Sequence, residues 1–183
     1  MAMAMLKAGG VPFVDGSHPD SGELTHLGPD TLAAVRQGGA VKLLDWVLRV
    51  DLSSADWRFI WLDRDPHEQA RSTAKFIAGF GFGDEIDVGV LAASYGRDRP
   101  VALGRLRALG PVLVLGYERV LAQPKKAARQ IGRFVAGVDG LGATRPTELW
   151  FDVKAAAAVV HQRDGRCRPD LAIEAGRAQG TTP

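Results

Sequence analysis

Apolar runs alternate with stretches of helical periodicity along this chain. The segment Arg58–Asp63 has a continuous apolar centre, which is typical of a strand covered on both faces of a parallel sheet. Asp65 can cap a following helix, Pro66 suits its first position, and Glu68 completes a variant of the capping box. The pattern therefore predicts a strand followed at once by a helix that runs to about Ala78.

The same order recurs further along the chain. Asp84–Leu109 is mostly helical by pattern, with a break expected near Gly96–Pro100, and Val112–Leu115 is a second continuous apolar strand. Pro124 starts another helix, which Gly137 ends. Alternating strands and helices predict an α/β fold with a mostly parallel sheet.

The remaining elements are weaker. Good helix formers at the start of the chain are followed by two glycines, and a final helix is expected near the end of the folded part. These further predictions are helices over Met1–Ala8, Thr31–Gln37 and 148–161, and strands over Val11–Val14 and Val41–Leu44.

Length and composition bound the class of protein. With 183 residues and 46% hydrophobic positions, the chain fits one domain, assigned to 1–161, followed by a polar tail over 162–183 that we expect to be mobile. The net charge of +2, with no dense basic run, is weak evidence for nucleic-acid binding, so no nucleic-acid partner is expected. The sequence has no long apolar run and a single cysteine, which predicts a cytoplasmic protein without a membrane partner or disulfide.

Arg64 and Ser72 form the first candidate site. Arg64 lies between the end of the predicted strand and the start of the predicted helix, a place where open α/β sheets bind ligands. Ser72 is roughly 9 Å further along the helix axis from its first residue. One interpretation is that both side chains share an anion, with forked donors from arginine and a third from serine. The other is that Arg64 pairs with Asp65 or Glu68 while Ser72 faces solvent.

These residues resemble the sulfotransferase family, whose members use 3′-phosphoadenosine 5′-phosphosulfate and have a P-loop-NTPase-like three-layer fold. In that family an arginine at the end of a central strand and a serine eight positions later bind the 3′-phosphate, and Arg64 and Ser72 match in type and spacing. A second match is the strand, turn and proline-started helix over 112–124, where Tyr117 falls at the family's position near the adenine. Arg119 stands where the family usually has an acid. The resemblance implies sulfuryl transfer to a hydroxyl or amine without a metal.

The start of the chain resembles the helix that follows the family's phosphosulfate loop, in a bacterial branch. The loop and the strand before it are not in this sequence, nor is a Walker-type G-x-x-x-x-G-K-[S/T] motif. That strand would be the central one, so its absence would leave a gap in the sheet. Two alternatives follow: the native chain begins upstream of Met1 and is an active enzyme, or the chain is a non-catalytic nucleotide-binding or interaction module. A third is a P-loop small-molecule kinase, for which Asp63 is the closest magnesium-binding acid.

A sulfuryl transfer needs a base to deprotonate the acceptor. His18, Glu23 and His26 lie in a loop rich in glycine and proline, where the family often carries acceptor contacts, and one of them is the candidate. Each is also explained as a solvated loop residue. Lys42 could reach the transferring group, or could be a strand-end lysine whose stem packs on apolar surface. The sequence defines neither the acceptor nor the oligomeric state.

Overall fold

The described part of the chain is mainly helical and contains one small parallel sheet. The computed structural model describes residues 1–12, 33, 36–42, 57–78, 86–137 and 151–160. Within these ranges the helices are α1 (Ala2–Ala8), α2 (Pro66–Ala78), α3 (Val88–Leu109), α4 (Tyr117–Ala122), α5 (Pro124–Ala136) and α6 (Val153–Ala158), and the strands are β1 (Phe59–Asp63) and β2 (Val112–Gly116).

The two strands pair in parallel, with α2 and α3 forming the connection between them. Phe59 lies opposite Val112 at one end of the ladder, and Asp63 lies opposite Gly116 at the other. The strands therefore end side by side, and the residues that follow them emerge at the same edge of the sheet. The predicted mixed α/β class and the parallel pairing are confirmed. Among the described residues the sheet consists of β1 and β2, which are hydrogen-bonded neighbours.

One face of the sheet carries the main apolar core. Ile60 and Leu62 point to this face because side chains alternate along a strand, and Leu113 and Leu115 lie opposite them. Helices α1, α5 and α6 contribute the other core side chains. The largest fully buried side chains of this core are Met5, Ile131 and Val120, the last from α4.

The start of β1 is also tied to the end of α5. The Arg58 guanidinium donates a hydrogen bond to the Phe134 carbonyl at 2.7 Å and lies 5.5 Å from the centre of the Phe134 ring. On the opposite face of the sheet, the rings of Trp57 and Phe59 are stacked with their centres 6.1 Å apart. These contacts fix the strand at the end remote from Arg64.

Local signals in the sequence predicted most helix ends correctly. The Asp65 carboxylate accepts hydrogen bonds from the backbone N–H groups of His67 and Glu68, both at 3.0 Å, which caps α2 as expected. Helix α5 begins at Pro124 and ends at Gly137, whose positive φ of 76° suits glycine. Helix α1 and both strands lie where the pattern placed them.

The expected break in α3 is wrong, because this helix continues through Gly96 and Pro100. Pro100 has no N–H to donate to the Gly96 carbonyl, so this turn lacks one backbone hydrogen bond. Side chains on both sides of the turn hold it to other elements instead. Tyr95 bonds to Thr73 of α2, and Arg99 bonds to Asp63 of β1. Tertiary contacts therefore outweigh the local penalty.

Other boundaries also differ. The last helix is shorter than predicted because Asp152 caps it, accepting from Lys154 and Ala155 N–H groups at 2.9 Å. The described parts of the two weaker strand predictions, 11–12 and 41–42, are not in strands. Most of the helix predicted over 31–37, the rest of those two strands and the tail over 162–183 lie outside the described residues.

Candidate functional site

The candidate site lies where β1 and β2 end together. Arg64 directly follows β1, and Tyr117 directly follows β2, so the parallel register makes them neighbours. The Arg64 guanidinium carbon lies 4.9 Å from the centre of the Tyr117 ring. A cation at this distance over an aromatic face is attracted by the ring's negative electrostatic potential. The structure thus brings together two of the three residues that the sequence predicted for nucleotide binding.

Arg64 also meets the first turn of α2. Its Nε lies 3.5 Å from Glu68 Oε2, and the two side chains are 26% and 22% exposed. Asp65 meanwhile occupies two N–H groups at the amino end of α2. Because these donors are already used, an anion at this edge would depend chiefly on side chains such as Arg64.

Ser72 is exposed on α2, four residues after Glu68. Residues four apart lie on the same face of a helix, so Ser72 is on the face toward which Arg64 extends. The arrangement combines features of both interpretations of the sequence. Arg64 pairs with Glu68 and Ser72 meets solvent, while the two proposed anion donors share one side of α2.

Helix α3 contributes two contacts that the sequence did not predict. Arg99 Nη2 donates to Asp63 Oδ2 at 2.5 Å, and Tyr95 Oη donates to Thr73 Oγ1 at 3.0 Å. These partners are 36 and 22 residues apart in the chain, so no local motif could reveal them. The one available signal was that Tyr95 and Arg99, four residues apart, lie on one face of a helix.

A cavity of about 940 Å³ lies beside β1. Its walls include β1 and the residues next to it, over 57–64, the amino-terminal part of α1, and the face of α3 that carries Tyr95 and Arg99. Lys42 and Arg64 are also among the described residues that line it, whereas Ser72 and Tyr117 are not. The cavity is therefore largely apolar, with basic side chains on its wall, and it reaches the candidate site at Arg64.

The three candidate bases, His18, Glu23 and His26, lie outside the described residues. Within the described ranges, no group of three or more histidine, cysteine, aspartate or glutamate side chains is placed to hold a metal ion. No helix in these ranges is long and apolar enough to cross a membrane.

Comparison of the chain with protein-family models, curated proteins and solved structures gives no match.

Proposed function

We propose that this chain is a sulfotransferase-like nucleotide-binding domain. Its ligand is 3′-phosphoadenosine 5′-phosphosulfate or the product 3′,5′-adenosine bisphosphate. Its fold is a version of the three-layer P-loop-like architecture, of which the two parallel strands and their helical connection form a part. The observation that carries the proposal is the contact between Arg64 and Tyr117, whose positions resemble those of the family's 3′-phosphate and adenine residues.

The chemistry of the site suits a phosphate. A guanidinium has five N–H donors in one plane, and the Nε of Arg64 donates to Glu68 Oε2 at 3.5 Å. The remaining donors can form a forked pair with two phosphate oxygens. Ser72 can supply a further donor from the same face of α2.

The position of Arg64 restricts how an adenine can contact Tyr117. Arg64 covers one face of its ring, so an adenine would use the ring edge or the other face. Tyr117 therefore acts on the ligand in two ways: it flanks the base, and it holds the guanidinium that binds the phosphate. Both roles require an aromatic ring at this position.

The proposed reaction is an in-line sulfuryl transfer. An acceptor oxygen or nitrogen forms a bond to the sulfur as the bond between sulfur and the 5′-phosphate oxygen breaks. The acceptor's proton passes to a base, for which His18, Glu23 and His26 stay the candidates. The products are a sulfated acceptor and 3′,5′-adenosine bisphosphate. The reaction as written requires no oxidant, reductant or metal.

The test is calorimetric titration with 3′,5′-adenosine bisphosphate and with ADP, which lacks the 3′-phosphate. We expect the wild-type protein to prefer the bisphosphate. Arg64→Ala should weaken its binding by about 1.5–3 kcal/mol, roughly 10- to 150-fold, and leave ADP binding nearly unchanged. Arg97→Ala removes a charge from an exposed position on α3 and is the matched control. Equal affinity of the wild-type protein for both nucleotides would exclude this assignment.

The non-catalytic binding module is the second candidate, because Arg64, Ser72 and Tyr117 would bind the nucleotide and none of them acts at the transferred sulfuryl group. A protein that binds the bisphosphate but transfers no labelled sulfate to any acceptor would support this candidate. The third candidate, a small-molecule kinase, has less support. Its nearest magnesium-binding acid, Asp63, is instead bonded to Arg99.

A further inference from the structure

We propose that Tyr95 and Arg99, here called the α3 brace, position the two anion-binding residues and thereby set the preference for a 3′-phosphate. This inference rests on the proposed function. It assigns a role to two residues of α3 that do not belong to the sulfotransferase-like motifs.

The α3 brace contacts two residues outside α3, and each is next to an anion-binding residue in the sequence. Arg99 holds Asp63, which directly precedes Arg64, and Tyr95 holds Thr73, which directly follows Ser72. Adjacent Cα atoms are about 3.8 Å apart, so each contact anchors the backbone directly beside an anion-binding residue. One helix face therefore fixes both the strand end and the second turn of α2.

The turn of α3 between these contacts is locally weak. Tyr95 and Arg99 flank Gly96, and Pro100 follows, so the turn lacks the hydrogen bond that Pro100 cannot donate. Gly96 has no side chain that could pack against another element and support the turn. A Cβ built at this position would have no atom within 4 Å. The contacts of Tyr95 and Arg99 therefore help to hold a turn that has one backbone hydrogen bond fewer.

Arg99 bonds to Asp63 although another acid, Asp98, is next to it in the chain. Asp98, the adjacent acid, accepts from Ser94 Oγ at 3.0 Å and is exposed. The Arg99 side chain is 42% exposed and that of Asp63 is 22% exposed, so the pair lies at the boundary between cavity and solvent. Two roles are then open to Arg99: it positions Arg64 through Asp63, or it binds the ligand anion directly.

Substituting each partner separately distinguishes these roles. The measured quantity is the ratio of dissociation constants for 5′-AMP and 3′,5′-adenosine bisphosphate, which reports on the 3′-phosphate alone. If Arg99 positions Arg64, both Arg99→Met and Asp63→Asn lower this ratio, by about five- to tenfold. If Arg99 binds the anion directly, Asp63→Asn releases Arg99 from its ion pair and raises this ratio. That result would overturn the proposal.

Conservative variants separate positioning from a general loss of structure. Arg99→Lys keeps the charge next to Asp63 and should retain more of the ratio than Arg99→Met. Tyr95→Phe removes only the hydroxyl and should lower the ratio by about two- to threefold. Arg97→Met, on the exposed side of the same helix, should leave the ratio unchanged. If Arg99→Met fails to fold, the comparison of Arg99→Lys and Asp63→Asn decides.

The outcomes for the two proposals are distinguishable. A wild-type protein that shows no preference for the bisphosphate over 5′-AMP overturns the proposed function, and this inference with it. A wild-type preference that survives Arg99→Met and Asp63→Asn overturns the α3 brace alone.

Discussion

At the scale of single residues, Arg64 is held by an acidic side chain and an aromatic face. Glu68 and Tyr117 both offer negative electrostatic potential, so each stabilises the guanidinium. Their effects on a bound anion differ, however. The Tyr117 ring carries no net charge and leaves the arginine positive toward a ligand, whereas the Glu68 carboxylate repels a phosphate and competes with it for the same donors.

Glu68→Gln should therefore strengthen binding of 3′,5′-adenosine bisphosphate. Under the proposed function Arg64 binds the 3′-phosphate, and removing one negative charge beside it should lower the dissociation constant by about three- to tenfold. Titration calorimetry at low salt measures the effect, and 5′-AMP, which lacks the 3′-phosphate, is the control ligand. A Glu68→Gln protein that binds the bisphosphate less tightly than wild type would show that Glu68 holds Arg64 in its binding position and does not compete.

At the scale of elements, the features that could be predicted from the sequence are those that depend on residues close together in the chain. The cap at Asp65, the proline at the start of α5 and the left-handed glycine at Gly137 are local devices, and each lies where the sequence placed it. The continuity of α3 could not be predicted, because contacts with Thr73 and Asp63 from distant parts of the chain oppose the local effect of Pro100.

Helix packing also shows at which glycines a side chain would clash with a neighbouring residue. A Cβ on Gly132 of α5 would lie 2.8 Å from Cδ1 of Phe151, and a Cβ on Gly9 would overlap the same ring. Phe151 is therefore packed between the end of α1 and the middle of α5. In contrast, a Cβ on Gly104 of α3 would have nothing within 4 Å.

These two glycines should respond oppositely to the same substitution. Gly132→Ala should destabilise the protein by about 1–3 kcal/mol, because overpacking against Phe151 exceeds the gain in helix propensity. Gly104→Ala should stabilise it by up to about 1 kcal/mol, since only the propensity gain remains. Urea denaturation measures both free energies of unfolding. Equal stabilisation by both substitutions would mean that Phe151 moves aside without cost.

At the scale of the whole molecule, the described core joins segments that are far apart in the chain. Met5 of α1, Ile131 of α5 and Ala156 of α6 are all fully buried in one apolar cluster with the sheet. The backbone N–H of Asp152 also donates to the Gly9 carbonyl at 3.0 Å, next to the ring of Phe151. Helix α1 is thus an integral part of the core.

The candidate site depends on this long-range assembly as well. Arg64 and Tyr117 were predicted as site residues from the short motifs that surround them. Their contact, in contrast, requires β1 and β2 to pair in one particular register. The α3 brace could not be anticipated, because its partners meet only after α2 and α3 have packed together.

If α1 is part of one cooperative core, a change in it should affect the whole protein. Met5→Ala should lower the free energy of unfolding by about 2–5 kcal/mol, because it leaves a cavity at a fully buried site. Lys7→Ala, on the exposed face of the same helix, should change it by less than about 0.5 kcal/mol. Unfolding is followed by far-UV circular dichroism and by tryptophan fluorescence, for which buried Trp57, close to β1, is one reporter.

Both signals should shift to lower urea concentration by the same amount in Met5→Ala, since a single core gives one transition for every probe. If the fluorescence transition stays in place while the circular dichroism transition moves, α1 unfolds independently of β1. The cavity between them would then open without loss of the strand pair, and the contact between Arg64 and Tyr117 would not depend on α1.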